Sequence, residues 1–186
     1  MTKILNNLFS DNKWFKSTSK SYYSFKNINK DKIKVINANN YDILKITNNA
    51  SKGFEVWSKK TPKQRASIIK KIATLIKKNR IKLAEAEIRD TGKNLQQSLN
   101  EIDYCVKLWI HASYEALKIK DKIININKKT FCKITAEPVG LTALIVPWNF
   151  PLIVLSERLP YILSAGCSAI IKPSELASQS IISFIK

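Results

Sequence analysis

Apolar residues recur through the middle of the chain at the spacing of helices and then close up into a sheet-like run near its C-terminal quarter. Ala50, Phe54 and Trp57 stand at i, i+4 and i+7, a stripe that predicts a helix ending near Lys60. Thr61-Pro62-Lys63-Gln64 follows, with a Thr cap, a Pro at the first helical position and a Gln that can bond back to the cap amide. The stripe Ile68, Ile69, Ile72, Leu75 and Ile76 continues that helix. A third helical segment, Leu83 to Arg89, stops at Asp90-Thr91-Gly92-Lys93, where Gly92 can take the left-handed conformation of a helix end. Leu95, Leu99, Ile102, Val106, Trp109 or Ile110, Ser113 and Leu117 form the longest stripe and predict the longest helix.

Elsewhere the pattern changes. Residues 1–30 are rich in Lys, Asn and Ser with scattered aromatics (Trp14, Phe15, Tyr22, Tyr23, Phe25) and hold neither period, so they read as a loose leader that docks by its aromatics. Ile33-Val35 and Ile43-Leu44-Ile46, either side of Asn37-Ala38-Asn39-Asn40, read as two short strands around an Asn-rich turn. Alternation from Lys120 to Thr135, with Asn127-Lys128-Lys129 between its halves, predicts an exposed hairpin. After Glu137-Pro138, the run from Val139 to Val146 is almost wholly apolar, the mark of a strand buried on both faces of a parallel sheet. Pro147-Trp148-Asn149-Phe150-Pro151 breaks it. Leu152 to Ser164 reads as a helix closed by Ala165-Gly166, and Cys167 to Ile171 as a second short strand, together a right-handed βαβ crossover. A further helix starts around Ala177.

Composition adds one puzzle. Lys and Arg number 32 against 14 Asp and Glu, a formal net charge of +18. Only Arg65, Arg80, Arg89 and Arg158 are arginine, and Lys, Ile and Asn together dominate, as a genome drifting toward A and T produces. Without Arg and aromatic interleaving the excess does not read as a nucleic-acid surface. Residues 137–186 carry three bases and three acids, so the excess lies wholly upstream. Cys105, Cys132 and Cys167 lack CxxC spacing, and the chain has one histidine, so no metal site is expected. His111, with no acid or metal partner apparent, reads as structural. No signal peptide and no membrane span is read, and the expectation is a cytoplasmic protein with reduced thiols.

Candidate chemistry sits at the ends of the two predicted parallel strands. A Gly-rich dinucleotide fingerprint is absent from the first turn. The turn instead offers a Pro-bracketed loop where open α/β sheets place their ligands, and Asn149 can aim its amide at developing negative charge or, alternatively, satisfy the turn backbone. After the second strand, Lys172-Pro173-Ser174-Glu175 sets a Lys and a Glu three residues apart, suited to ribose hydroxyls or, for the Glu, to a first helical turn.

In combination, Glu137-Pro138-Val139-Gly140, Ile145-Val146-Pro147-Trp148-Asn149-Phe150-Pro151, Ala165-Gly166-Cys167 and Ile171-Lys172-Pro173-Ser174-Glu175 resemble the aldehyde dehydrogenase family in order and spacing. The resemblance runs from about Val35 to Lys186. It implies an α/β fold: an N-terminal helical region plus a β-hairpin leading into the first strands of a Rossmann-like parallel sheet. On it, 1–30 is a leader, 31–119 the helical part of the cofactor domain, 120–137 an oligomerisation hairpin and 138–186 the incomplete start of an NAD-binding domain. The resemblance makes Asn149 the oxyanion asparagine, Val146, Pro147 and Trp148 a wall of the nicotinamide cofactor cleft, and Lys172, Ser174 and Glu175 the adenine-ribose contacts. It implies NAD, with NADP possible, an aldehyde substrate for the full-length protein, and a homo-oligomer. The family's nucleophilic cysteine, general-base glutamate and Gly-Ser loop have no counterpart in these 186 residues, so the chain alone is expected to be inactive. The rival readings are a pseudoenzyme or binding module that keeps a partial cofactor cleft and a basic nucleic-acid binder.

Overall fold

The structure, a computed structural model, describes residues 2–27 and 30–186. The segment read as a loose leader is largely strand. It forms β1 (Thr2–Leu5), β2 (Asn7–Ser10), β3 (Lys13–Lys16) and β4 (Tyr22–Lys26), followed by β5 (Lys32–Ile36). What that reading says of Met1, Ile28 and Asn29 lies outside the described residues. β5 is central in a three-stranded sheet, parallel to β1 and antiparallel to β4. β2 and β3 form a hairpin whose two-residue turn, Asp11-Asn12, has both φ angles positive (52° and 56°), the geometry that matches strand twist. The leader's aromatics dock only in part: Phe15 lies half-buried under the Lys45 ammonium, whereas Trp14, Tyr22 and Tyr23 stay exposed.

Among the described residues six α-helices follow in two groups: α1 (Asn40–Trp57), α2 (Pro62–Lys78), α3 (Arg80–Thr91) and α4 (Leu95–Lys118), then α5 (Pro151–Ser164) and α6 (Gln179–Ile185). Between them lie β6 (Lys122–Asn127), β7 (Thr130–Ile134) and β8 (Leu141–Val146), and β9 (Ser168–Pro173) follows α5. The Asn-rich stretch expected to be a hairpin turn is the start of α1, so Ile43, Leu44 and Ile46 are helical. Asn39 Oδ1 accepts from the Asp42 amide at 2.9 Å, and Asp42 Oδ2 accepts from the Asn39 amide at 3.2 Å. This reciprocal cap satisfies two of the orphan donors at the helix start and outweighs a weak strand pattern. Asp42 is fully buried and also accepts from Ser17 Oγ at 2.5 Å, which ties the N-terminal strands to α1.

The predicted cap of α2 is present, with Thr61 Oγ1 and Gln64 Oε1 each accepting from the other's amide. Gly92 ends α3 at φ 73°. The expected stripes face the core for most of their length, with Ile69, Ile76, Ile102, Trp109 and Ser113 buried and Ile72, Leu99, Val106 and Ile110 packed beside them. Leu75, Leu95 and Leu117 are exposed, while Ala73, Ala84, Ala112 and Ala116 are buried between the helices. α4 packs on α2, α3 and α5 and supplies the centre of the core, where Trp109 is 1% exposed and donates from Nε1 to Ser156 Oγ at 3.1 Å. β6 and β7 pair as the expected exposed hairpin.

β8 and β9 are parallel neighbours joined by α5, with Ile145 opposite Lys172 and Val146 opposite Pro173. Only one face of β8 is covered within this chain. Leu144 and Val146 point into the core, whereas Ile145 is 72% exposed, so the strand is buried on one side and not on both. The return from α5 to β9 is a tight junction. Gly166 has φ 88°, and an added Cβ would lie 2.9 Å from Pro138 Cγ and 3.1 Å from Arg65 Nη1. The guanidinium has little freedom to move, since Nε donates to Ser164 O at 3.0 Å and Nη1 to Lys60 O at 2.7 Å. Gly166→Ala is therefore expected to destabilise the fold by about 2 kcal/mol or more, read as a lowered urea midpoint with unchanged slope.

Candidate functional site

The carboxyl edge of the β8/β9 pair carries the stretches that hold the candidate site residues, 146–149 and 172–175. Leaving β8, the chain turns through Pro147 to Pro151 before α5 begins. Val146 is buried in the core beneath this loop, and Pro147, Trp148, Asn149 and Phe150 are exposed above it. Leaving β9 on the same edge, Lys172 Nζ donates to Glu175 Oε2 at 3.0 Å, and Ser174 Oγ accepts from the Leu176 amide and caps the short 3-10 turn Glu175–Ala177. Parallel pairing brings the two connections together, because strands that run the same way end on the same side. Asn127 Oδ1 accepts from the Lys129 amide within its own hairpin turn, but the Asn149 carboxamide makes no such bond among the described residues. Its donors are free for another group.

Glu175 is held below the usual carboxylate range, first by its own backbone amide and then by Lys172, so it is ionised at neutral pH. An exposed, charged carboxylate beside a lysine can accept from ribose hydroxyls and repel a 2′-phosphate. These groups fit the adenosine end of a dinucleotide. Among the described residues no cluster of His, Cys, Asp and Glu could hold a metal ion.

A second cluster, absent from the sequence reading, lies behind the Asn149 loop. Glu87 on α3 is fully buried, and neither carboxylate oxygen has a hydrogen-bond partner among the described residues. Lys93, in the α3–α4 connection, places Nζ 3.7 Å from Glu87 Oε1 and 2.5 Å from Oε2 of Glu101 on α4. The same ammonium lies 3.8 Å from the centroid of the Phe150 ring. Gln97 Nε2 steadies the other oxygen of Glu101 at 3.0 Å. Beside this cluster an open groove of about 460 Å³ is lined by Gln97, Asn100, Glu101, Tyr104 and Ile153. The sequence places Lys93 at a helix stop, in the stretch Thr91-Gly92-Lys93, and assigns it no role at the site. The available signal was acidic residues on inward helical faces: Glu87 stands four after Leu83, and Glu101 four before Cys105.

Burial pushes the Glu87 carboxyl up to about 7, against Lys93 and the Leu152 amide, which favour the charged form. Its ordinary value is 4.5, so the folded state holds the proton more tightly than the unfolded state. The stabilisation from that proton is complete below the unfolded value and is lost as pH rises through about 7. Between roughly pH 5.5 and 8.5 the protein should lose about 2 kcal/mol of stability from this group. Urea midpoints across that range should show the loss in the parent protein and a much flatter profile in Glu87→Gln.

The cysteines stand apart from this edge. Cys105 is buried on α4, and burial pushes its thiol up to about 12, so it is not a thiolate nucleophile. Cys167 is buried at the entry to β9, and Cys132 is exposed on β7. His111 does have partners, contrary to the sequence reading: its Nδ1 meets the Tyr161 hydroxyl at 2.8 Å, and Nε2 lies 3.4 Å from Glu115, one helical turn on. It remains a surface group. No helix among the described residues is long and apolar enough to cross a membrane.

The profile of the Aldehyde dehydrogenase family matches residues 14–186. Aldehyde dehydrogenase, cytosolic 1 of Elephantulus edwardii is 32% identical over an alignment of 188 residues, covering 96% of this chain and 38% of its own. Betaine aldehyde dehydrogenase of Bacillus subtilis is 31% identical over 184, with the same two coverages. Among solved structures, betaine aldehyde dehydrogenase from Staphylococcus aureus in complex with NAD+ superposes with a TM-score of 0.88 at 30% identity, covering 96% of this chain and 37% of that one. NAD-dependent aldehyde dehydrogenase from Sinorhizobium meliloti gives 0.88 at 29%, covering 99% and 38%. The chain thus spans well under half the length of these relatives.

Proposed function

The chain belongs to the aldehyde dehydrogenase family, and from that premise we propose that it builds the N-terminal part of an enzyme that oxidises an aldehyde to a carboxylic acid with NAD. The observation that carries this reading is the convergence of the Asn149 loop and the Lys172–Glu175 pair on one edge of the β8/β9 sheet. In this reading a cysteine thiolate supplied from outside these residues attacks the aldehyde carbon, and the Asn149 side-chain amide donates to the oxygen as it gains charge. NAD, when held there, would supply the acceptor for the hydride that leaves this carbon, and water would then cleave the resulting thioester to release the acid and the thiol. Pro147 and Trp148, backed by Val146, form a wall of the nicotinamide side and exclude water, while Lys172, Ser174 and Glu175 hold the adenine ribose.

The charged Glu175 supports NAD over NADP, with NADP as the weaker substrate. Ile123, Ile126, Phe131 and Ile134, all exposed on β6 and β7, support a homo-oligomer in which this hairpin is covered by a second copy. The protein is proposed to act in the cytoplasm on an aldehyde, with no nucleic-acid partner. Kinetics of the complete protein test the reading. Glu175→Gln should raise the KM for NAD about tenfold, the loss of one charge-assisted hydrogen bond, and narrow the preference over NADP. An unchanged KM for both cofactors would remove Glu175 from the cofactor site.

A further inference from the structure

We propose that Lys93 is a positioning residue for the Asn149 loop, clamping it through the Phe150 ring from a buried seat formed by Glu87 and Glu101. The proposal rests on the reading of Asn149 as an oxyanion donor. The loop needs an external hold. Phe150 occupies the cap position of α5 without any side-chain cap bond, and Pro151 has no amide hydrogen, so the usual local ties at a helix start are missing. The structure supplies a tie from behind. The Lys93 ammonium faces the ring of Phe150 at 3.8 Å, where the negative face of the π-system attracts a cation most strongly when water is excluded. The buried Glu87 carboxyl, whose oxygens have no hydrogen-bond partner among the described residues, stands 3.7 Å from that ammonium and helps to seat it.

Lys93 itself has almost no freedom. Its side chain is 11% exposed, and Glu101 binds it at 2.5 Å while Gln97 fixes Glu101 in turn. Gly92, at φ 73°, turns the chain so that residue 93 points back under the loop instead of continuing α3. The groups around this ammonium come from three segments: Glu87 on α3 with Asp90 one turn further along, Glu101 on α4 held by Gln97, and Phe150 in the loop. Asp90 is engaged elsewhere, accepting from the Ser180 amide and Gln179 at the start of α6. Asn149 is the residue next to Phe150. A donor that must meet an oxyanion as charge appears gains rate only if it is held in place beforehand, so a fixed neighbour is a direct route from this cluster to the chemistry.

Hydrogen exchange tests the clamp without needing turnover. The amides that open α5 report on the loop, because the Val154 amide donates to Phe150 O at 2.9 Å. In the 186-residue protein, Lys93→Met should speed exchange at these amides, Val154 first, about tenfold, with the amides around Trp109 in α4 unchanged, and Lys93→Arg should restore slow exchange. Should Lys93→Met fail to fold, Phe150→Leu keeps the buried charges, removes only the ring, and is expected to loosen the same amides. In the complete protein Lys93→Met should lower kcat for aldehyde oxidation about tenfold with the KM for NAD unchanged, and Lys93→Arg should recover most of it. Loop exchange within about twofold of the parent in the folded Lys93→Met or Phe150→Leu protein would overturn the clamp. Loosened amides in a complete protein that oxidises no aldehyde would leave the clamp standing and overturn the functional reading instead.

Discussion

Replacing Asn149 with alanine in the complete protein should lower kcat for aldehyde oxidation about 100- to 1,000-fold, with little change in the KM for NAD. The size follows from what the side chain is proposed to do. An amide aimed at an oxygen that becomes charged only during reaction contributes to the transition state and hardly at all to binding. The geometry makes the expectation specific to the side chain. Asn149 is exposed at the carboxyl edge of β8 and its carboxamide bonds to nothing in its own turn, so alanine removes a donor without opening a cavity or orphaning a buried partner. Folding should therefore be unaffected, and unchanged urea midpoints in Asn149→Ala would separate lost chemistry from lost structure. A kcat within about threefold of the parent would remove Asn149 from the reaction.

Trp109→Ala carries the largest expected effect on stability, a loss of about 4 kcal/mol. The indole is the largest fully buried side chain, sits where α4 meets α2, α3 and α5, and stacks at 5.7 Å against Phe184 of α6. Its removal forfeits apolar burial, leaves a cavity among helices that cannot easily collapse, and strands Ser156 Oγ without its donor. Trp109→Phe retains most of the volume and should lose less than half as much. Chemical denaturation measures both, with equal slopes confirming that the native state rather than its cooperativity has changed.

The helical middle of the chain was legible because its signals are local. Thr61 to Gln64 names its own cap, and Gly92 marks its own stop; both sit where the pattern puts them. The margins of each buried face were harder to read. Periodicity brings Ile69, Ile76, Ile102 and Trp109 into the core but cannot tell that the small Ala73, Ala84, Ala112 and Ala116 go in while Leu75, Leu95 and Leu117 stay outside. The N-terminal strands were missed for a different reason. They are four or five residues long, mostly exposed, and stabilised by pairings such as Thr2 with Lys32 that link residues distant in sequence. The Asp11-Asn12 turn, whose residue types tolerate positive φ, was a local signal passed over, and Asn39 with Asp42 was misread because Asn serves turns and caps equally.

At the site, the loop residues could be named from the chain because two strands of a parallel pair must end on one edge. The cluster beneath them could not. Glu87, Lys93 and Glu101 come from three successive segments and meet only through the packing of α3 on α4, and a lone charged residue in a helix normally reads as solvated surface. Burial is what gives them meaning. The net charge of +18 reads differently in the folded protein too: the acids that matter for the site are buried or paired, and most of the lysines lie on surfaces upstream of β8.

The central claim is a division of labour, in which this chain supplies the oxyanion donor and ribose contacts while the thiolate comes from outside it. Aldehyde-dependent NADH formation by the purified 186-residue protein tests that claim most directly. Across a panel of aldehydes the account predicts no turnover above the protein-free blank, because Cys105 and Cys167 are buried and Cys132 lies on the hairpin. Sustained NADH formation that disappears in Asn149→Ala would contradict it, since a competent nucleophile would then have to lie within these residues.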